Sequence, residues 1–259
     1  MSEAPWDKLE VSRNQLDQAG SRVRRADLDG VPVPENVFEA IDGFRRWHLI
    51  TVAVLQRLLE RLLVEWPTIP KGKHLPVTSR LKTSSAIVAK LRRGEGSLPR
   101  MQDVVGARIV APSLADQNLV LDVAREFFTS DLVGVKDQRD ESDEHGYRSV
   151  HIIIRLDGRL AEIQLRTVWQ DRWAQIVEGI DSGVGKALTE ELGVDTSKVF
   201  DLKHGVGPAD LLDWLRVLSD EFRKADLGLP YELPPNPYVD VEDTEPHVRH
   251  LRSGSHADA

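Results

Sequence analysis

Hydrophobic and polar positions alternate most clearly over residues 161–167, and this alternation predicts a β-strand. Successive side chains of a strand point to opposite faces, so Glu162, Gln164 and Arg166 share one face. An acid, an amide and a guanidinium in one row are costly to bury without partners. They suit a cleft that handles a metal ion and phosphates. We therefore expect this strand to carry half of a magnesium site, with earlier segments supplying the rest.

The rest of the pattern predicts an α+β (mixed α/β) protein. Apolar residues at helical spacing predict helices at about 6–25, 35–65, 80–93, 114–128, 168–179 and 208–225. Apolar or alternating runs predict strands at about 104–110, 132–136, 147–156 and 159–166. The last two strands flank Asp157-Gly158, a dipeptide typical of a two-residue hairpin turn. Residues 67–79 and 137–146 are predicted to be loops.

These elements divide the chain into three regions. Residues 1–66 are expected to form a helical region that packs on the core, and residues 67–226 a mixed domain that ends in a helix. Residues 227–259 are rich in proline, acid and histidine, a composition typical of a disordered tail.

Composition narrows the class of protein. Of the 259 residues, 41% are hydrophobic and 29% are charged, as in soluble globular proteins. No apolar run approaches the roughly 20 residues of a membrane span, and the N-terminus lacks the features of a signal peptide. Because the chain has no cysteine, disulfides, thiolate zinc sites and cysteine nucleophiles are excluded. We expect a cytoplasmic protein with no membrane partner.

Charge is unevenly distributed along the chain. The formal net charge is −8, yet residues 71–100 contain eight Lys or Arg and one acid, Glu95. Within this run Lys82 and Lys90 lie close to one face of the predicted helix, where they would suit a triphosphate. A basic run is more often a solvated surface, so the pattern alone leaves both interpretations open.

A second acid, Asp103, directly precedes the strand predicted at 104–110. A carboxylate at this point is often a turn residue. However, two acids from separate strands that meet at one end of a sheet would hold Mg²⁺ against substrate phosphates. Strict alternation would put Asp103 and Arg108 on opposite faces, so a common cleft would require a bulge or a twist.

An aromatic residue opens the strand predicted at 147–156, where Tyr147, Ser149 and His151 share one face. A tyrosine at the mouth of a cleft stacks on a nucleotide base, whereas an ordinary edge-strand tyrosine keeps its hydroxyl in water. The segment alone does not decide between these two interpretations.

Taken together, four segments resemble the synthetase domain of the RelA/SpoT family, the alarmone synthetases. That family has an Arg-x-Lys…Lys helix and strands with the patterns Asp-x-x-Gly-x-Arg, Gly-Tyr-Arg-Ser-x-His and Glu-Ile-Gln-x-Arg-Thr. In this chain they are, in order, Arg80-Leu81-Lys82…Lys90, Asp103-Val104-Val105-Gly106-Ala107-Arg108, Gly146-Tyr147-Arg148-Ser149-Val150-His151 and Glu162-Ile163-Gln164-Leu165-Arg166-Thr167. The resemblance covers roughly residues 70–180, and four motifs in order are specific.

The resemblance implies a mixed β-sheet flanked by helices, related to nucleotidyltransferases. It also implies a GTP/GDP pyrophosphokinase with Mg²⁺ as its cofactor. Such an enzyme transfers the β,γ-pyrophosphate of ATP to the 3′-hydroxyl of GDP or GTP, makes guanosine tetra- or pentaphosphate, and releases AMP.

Individual residues receive roles from the same resemblance. Asp103 and Glu162 would be the catalytic residues and the metal ligands, and Glu162 would also accept the hydroxyl proton. The residues implied to bind ATP are Arg80, Lys82, Lys90 and Arg108. The residues implied to bind the acceptor nucleotide or line its region are Tyr147, His151, Gln164 and Arg166.

The chain departs from the family pattern in places. Ala86 stands where the family usually has Ser, and Asp143-Glu144-His145 precedes Gly146 where many members have a Lys. No His is followed by Asp, so the His-Asp pair of the family's hydrolase domain is missing, and we expect a stand-alone synthetase.

Other acceptors and partners stay open. Some small relatives are toxins that pyrophosphorylate the 3′ end of tRNA or make adenosine alarmones. The basic run at 71–100 and the missing Lys before Gly146 leave these acceptors open, whereas the net charge of −8 argues against tRNA. A non-catalytic nucleotide-binding module is a third interpretation, against which the presence of both acids argues. A homo-oligomer or a neutralising partner protein also stays open.

Overall fold

The computed structural model describes residues 9, 11–66, 68–69, 75–94, 96–140, 142–143, 145–184 and 208–235. Its helices are α1 (Arg13–Leu28), α2 (Glu35–Glu65), α3 (Ser84–Arg92), α4 (Leu114–Phe127), α5 (Val168–Val184) and α6 (Pro208–Asp226). Its strands are β1 (Val77–Leu81), β2 (Val105–Ala111), β3 (Leu132–Asp137), β4 (Val150–Leu156) and β5 (Arg159–Thr167). None of the helices in these ranges has the length and apolarity that crossing a membrane requires.

The described residues fall into two compact units. The first extends to Ser142 and resumes over Arg148–Arg172, and the second comprises Asp143–Tyr147 and the chain from Trp173 onward. The boundary between the units therefore lies within α5.

The first unit contains a five-stranded mixed sheet in the order β1-β2-β5-β4-β3. Strands β2 and β5 run parallel, and the other neighbouring strands are antiparallel. The β4–β5 hairpin turns at Asp157 and Gly158, whose φ angles of 45° and 78° are both left-handed, as a type I′ turn requires. The α+β fold and this hairpin are confirmed predictions.

One face of the sheet packs against α2 and α4, and this packing forms the main core. The buried strand residues on that face include Val105, Ala107, Ile109, Ile152, Ile154, Ile163 and Leu165. They meet Leu55 and Leu59 of α2 and Val120 and Ala124 of α4. Because strand side chains alternate, the polar residues of the central strands lie on the opposite face.

The largest difference from the predicted elements is β1. The pattern predicts a loop at 67–79 and a helix from residue 80, but the structure has an edge strand at Val77–Leu81 and begins α3 at Ser84. The Thr83 hydroxyl caps α3 by accepting a hydrogen bond from the Ala86 amide at 3.2 Å. The prediction that Lys82 and Lys90 share one helix face is therefore wrong, because Lys82 lies before the helix.

Strand β4 is also shorter than predicted. It begins at Val150, so Tyr147 and Ser149 precede the strand and do not share a strand face with His151. At the N-terminus, α1 begins at Arg13, where Ser12 and Gln15 form a capping box. The residues expected to begin this helix at about 6 lie outside the described residues.

The second unit contains α6 and the start of the predicted tail. The indole of Trp173 donates to the Leu215 carbonyl at 2.8 Å, and the Ser219 hydroxyl donates to the Gly146 carbonyl. After α6, residues 227–235 form neither helix nor strand, and the Glu232 amide donates to Glu221 at 2.7 Å. Residues 236–259 lie outside the described residues, so their disorder and the three-region division stay predictions.

Candidate active site

The polar face of the sheet is organised in two cross-strand rows. The first row contains Arg80, Gly106, Glu162 and Ile153, which lie opposite one another on β1, β2, β5 and β4. The second row contains Thr78, Arg108, Gln164 and His151 in the same strand order. Residues directly opposite on neighbouring strands point to the same side of a sheet. Six residues of the family motifs therefore lie in these two rows, and five of them carry side chains on this face: Arg80, Arg108, His151, Glu162 and Gln164.

A cluster of one acid and two lysines borders this face. The ammonium groups of Lys82 and Lys90 each lie 2.9 Å from the same oxygen, Oδ2 of Asp103. Lys82 follows β1, Lys90 comes from the last turn of α3, and Asp103 precedes β2. The two lysines thus converge on Asp103 although only Lys90 lies on a helix, because the Lys82 amide is held by the Val104 carbonyl at the entry to β2.

Asp103 is ionised at neutral pH. Burial raises the pKa of its carboxyl, but the positive charges and hydrogen bonds of Lys82 and Lys90 outweigh burial and hold the pKa below its ordinary value. Its other oxygen, Oδ1, is buried and has no hydrogen-bond partner among the described residues. This carboxylate therefore keeps one oxygen available for a further ligand.

Glu162 is oriented by two neighbours on the sheet. Its Oε1 lies 2.9 Å from Nδ1 of His151, and its Oε2 accepts a hydrogen bond from the Gln164 amide at 3.1 Å. An ionised carboxylate only accepts hydrogen bonds, so the Nδ1 of His151 carries the proton. The side chains of Glu162 and His151 are each 14% exposed.

The two carboxylates are electrostatically coupled. Burial raises the pKa of Glu162, whereas the hydrogen bond and charge of His151 lower it. The negative charge of Asp103 also raises this pKa, so the two carboxylates interact electrostatically. The net effect holds the pKa of Glu162 below its ordinary value, so Glu162 is ionised at neutral pH, as Asp103 is.

Asp171 is the site residue that the sequence analysis misses. Its Oδ1 lies 3.2 Å from Arg108 Nη1 and 3.1 Å from Arg166 Nη1. Arg166, 4% exposed, also donates to the Gln164 side chain at 2.9 Å. A continuous chain of contacts thus runs from Asp171 through Arg166 and Gln164 to Glu162. Only the three-dimensional fold brings the first turn of α5 to these strands, and no motif indicates it.

Two other predicted site residues lie apart from this network. Arg80 is exposed on the edge strand β1, next to Gly106. Tyr147 belongs to the second unit, where its ring centroid lies 6.0 Å from that of Trp173 and its amide donates to Asp143 at 2.8 Å. No group of three or more His, Asp or Glu side chains that could hold a metal ion occurs in the part of the chain that the structure describes.

Comparison with known proteins identifies the family of the chain. The family model described as the region found in RelA/SpoT proteins matches residues 79–183. The GTP pyrophosphokinase YwaC of Bacillus subtilis is 33% identical over 140 residues, which cover 46% of this chain and 67% of YwaC. The chain belongs to the RelA/SpoT family.

Other relatives extend the likeness beyond the matched region. The uncharacterized protein Rv1366 of Mycobacterium tuberculosis is 32% identical over 232 residues, which cover 88% of this chain and 76% of Rv1366. The small alarmone synthetase 1 of Bacillus subtilis, in a structure bound to its product pppGpp, has a TM-score of 0.53 and 23% identity, covering 71% of this chain and 93% of that one. This structural likeness shows a shared fold. The RelA/SpoT match contains Asp103 and Glu162 but leaves α1 and α2 outside.

Proposed function

We propose that the protein transfers the β,γ-pyrophosphate of ATP to the 3′-hydroxyl of GDP or GTP. The observation that carries the proposal is the pair of lysines on Asp103, an ionised acid that interacts electrostatically with a second ionised acid from another segment, Glu162. Two ionised carboxylates with lysines beside them suit a metal ion and phosphates. The names of the relatives YwaC and YjbM, both GTP pyrophosphokinases, support the same chemistry.

The acids fit Mg²⁺ as the cofactor. Mg²⁺ prefers oxygen ligands and is commonly held by one or two carboxylates together with substrate phosphates. The buried Oδ1 of Asp103, with no hydrogen-bond partner among the described residues, is a suitable ligand, and Glu162 supplies the second carboxylate. When bound, Mg²⁺ would neutralise charge that develops on the transferred phosphates.

The lysines and Glu162 are proposed to bind the triphosphate and to accept the proton, respectively. Lys82 and Lys90 provide positive charge for the triphosphate, and their common contact with Asp103 fixes their position. In the transfer, the 3′-oxygen of the acceptor forms a bond to the β-phosphorus of ATP. The bond between that phosphorus and the α,β-bridging oxygen breaks, and AMP leaves. Glu162, oriented by His151 and Gln164, accepts the hydroxyl proton.

The two substrates are proposed to bind along different strands of the same polar face. Arg80 and Arg108, on β1 and β2, are proposed to hold the adenine of ATP. His151, Gln164 and Arg166 are proposed to line the acceptor region, in which the buried Arg166 acts through its hydrogen bond to Gln164. Tyr147 is proposed to stack on the acceptor base.

Product analysis with a panel of acceptors tests the proposal. The protein is incubated with labelled ATP and Mg²⁺, separately with GDP, GTP, ATP and tRNA, and AMP release is measured together with the labelled product. AMP and a guanosine tetra- or pentaphosphate are expected with GDP or GTP. If AMP is released only when tRNA is the acceptor, or only when ATP is the acceptor, that molecule and not GDP or GTP is the acceptor. Nucleotide binding without any AMP would support a non-catalytic module.

Substitution of Gly106 tests whether ATP passes over the polar face between Arg80 and Glu162. Glycine weakens a strand interior, and a Cβ at this position meets no heavy atom within 4 Å. Valine suits a strand, so Gly106→Val should preserve or raise the melting temperature. It should nevertheless lower AMP formation by at least about tenfold, because its side chain would project into the substrate path, and Gly106→Ala should lie between. Full activity of Gly106→Val would exclude this path.

Substitution of Tyr147 tests base stacking. Tyr147→Ala is expected to raise the KM for the acceptor about tenfold, since stacking of one base contributes roughly 1–3 kcal/mol. The KM for ATP should be unchanged. Tyr147→Phe serves as the matched control, because it keeps the ring and should bind the acceptor normally. An unchanged acceptor KM in folded Tyr147→Ala would remove the stacking role.

A further inference from the structure

Arg45 of α2 lies outside the matched family region but contacts the segment that carries Lys82. Its Nε donates to the Lys82 carbonyl at 2.7 Å, across 37 residues of chain. Its Nη1 donates to the Ser84 hydroxyl and to Asp42, in both cases at 3.1 Å. Ser84 in turn donates to the same Asp42 oxygen. The guanidinium therefore bridges α2 and the turn into α3.

The backbone of Lys82 is held on both sides. Its amide donates to the Val104 carbonyl at 2.8 Å, directly beside Asp103, and its carbonyl is held by Arg45. The side chain then extends to Asp103. A lysine side chain has four rotatable bonds and is mobile unless its stem is fixed, so the direction of its ammonium depends on the placement of its backbone.

We propose that Arg45 is a positioning residue for the transfer reaction, which fixes the backbone of Lys82 so that its ammonium meets both Asp103 and the ATP phosphates. This inference rests on the proposed function. It assigns the N-terminal helix α2 a part in catalysis beyond packing. Arg45 itself touches no reacting group, since its contacts given above are with Asp42 of α2, Lys82 and the first residue of α3.

The geometry also explains why arginine is needed at this position. The planar guanidinium presents several N–H groups in a fixed fork and reaches the Lys82 carbonyl, Ser84 and Asp42 together. A lysine has one ammonium group on a flexible stem and cannot reproduce this bridge. Arg45→Lys should therefore keep the positive charge but no longer hold the Lys82 backbone in place.

The first test compares kinetics in two backgrounds. Arg45→Ala is expected to lower kcat/KM for ATP by about ten- to a hundredfold, the scale of a misplaced catalytic group, with the acceptor KM unchanged. Arg45→Lys should recover only part of this loss. In a Lys82→Met background, the additional loss from Arg45→Ala should fall below about twofold. The reason is that the effects of two substitutions are not additive when one residue acts through the other. Equal losses in both backgrounds would overturn the proposal, as would a fully active Arg45→Ala.

The matched control is Arg61→Ala, which removes an arginine from the same helix. Arg61 pairs with Glu65 at 2.7 Å, but both side chains are more than 60% exposed, so the substitution should leave activity and stability unchanged. A melting curve for every variant separates misplacement of Lys82 from unfolding.

A second readout does not depend on turnover. Hydrogen–deuterium exchange of the peptide that contains Lys82 and Thr83 should become faster in Arg45→Ala and stay unchanged in Arg61→Ala. Unchanged exchange in Arg45→Ala would show that Arg45 does not fix this segment, whatever the activity. If wild-type protein releases no AMP with any acceptor, the proposed function fails, and the exchange experiment still decides whether Arg45 fixes Lys82.

Discussion

Asp103→Asn is expected to reduce AMP formation by on the order of a thousandfold or more. Asparagine keeps the size of the side chain but removes the charge that Lys82 and Lys90 share. The loss affects a proposed metal ligand and the position of both lysines at once. The measurement is the rate of AMP release from labelled ATP with saturating GDP and Mg²⁺.

The fold should survive Asp103→Asn, with some loss of stability because two ammonium groups would then face each other without a counter-charge. Asp122→Asn is the matched control, since the Asp122 side chain is 76% exposed on α4 and interacts only weakly with Arg125, at 3.8 Å. A folded Asp103→Asn protein with a near-normal rate would remove Asp103 from the site.

Glu162→Gln is expected to have an effect of similar size, again on the order of a thousandfold. The amide cannot ligate a cation as a carboxylate does, and it cannot accept the proton of the 3′-hydroxyl. The variant should remain folded, because the substitution also removes the repulsion between Glu162 and Asp103. Initial rates and melting curves together separate these effects.

The control for Glu162→Gln is Glu126→Gln, on the exposed side of α4. Glu162→Asp adds a stricter comparison, because it keeps the charge but draws the carboxylate back from His151 and Gln164. A strong loss in Glu162→Asp would indicate that position matters as well as charge. A folded Glu162→Gln protein with normal turnover would contradict its role.

The central part of the fold follows from local patterns. Alternation over residues 161–167 puts Glu162, Gln164 and Arg166 on one face, and β5 has this arrangement because its other face forms the core. The Asp157-Gly158 turn is likewise a local signal, since both residues adopt positive φ. Such features depend only on neighbouring residues and are visible in the sequence.

Edges and long-range contacts are less predictable. Strand β1 has five residues, none fully buried, and only Val77 and Leu81 among them are large and apolar, so the sequence signal for a strand is weak. Strict alternation also predicts that Asp103 and Arg108 lie on opposite faces of one strand, which the structure does not require. Strand β2 begins at Val105, so alternation does not extend to Asp103 and no bulge is needed.

Residues that support the site are the hardest to identify. Asp171 of α5 pairs with Arg108 of β2, and Arg45 of α2 reaches the backbone of Lys82. Each contact depends on how whole elements pack, and neither residue belongs to a motif of its own. Sequence patterns therefore indicate the motif residues, including His151 and Gln164 beside Glu162, but not supporting residues such as Asp171 and Arg45.

The most direct measurement is the binding of Mn²⁺, a spectroscopic substitute for Mg²⁺, by electron paramagnetic resonance in the presence of a non-hydrolysable ATP analogue. Wild-type protein should bind one ion tightly. Asp103→Asn and Glu162→Gln should each weaken this binding by at least about ten- to a hundredfold. Loss of a residue that only supports a metal ligand has an effect of this size, so loss of a ligand itself should have at least the same effect. Asp122→Asn should bind as wild type does. Unchanged Mn²⁺ affinity in both site variants would contradict the claim that these two acids share one cation.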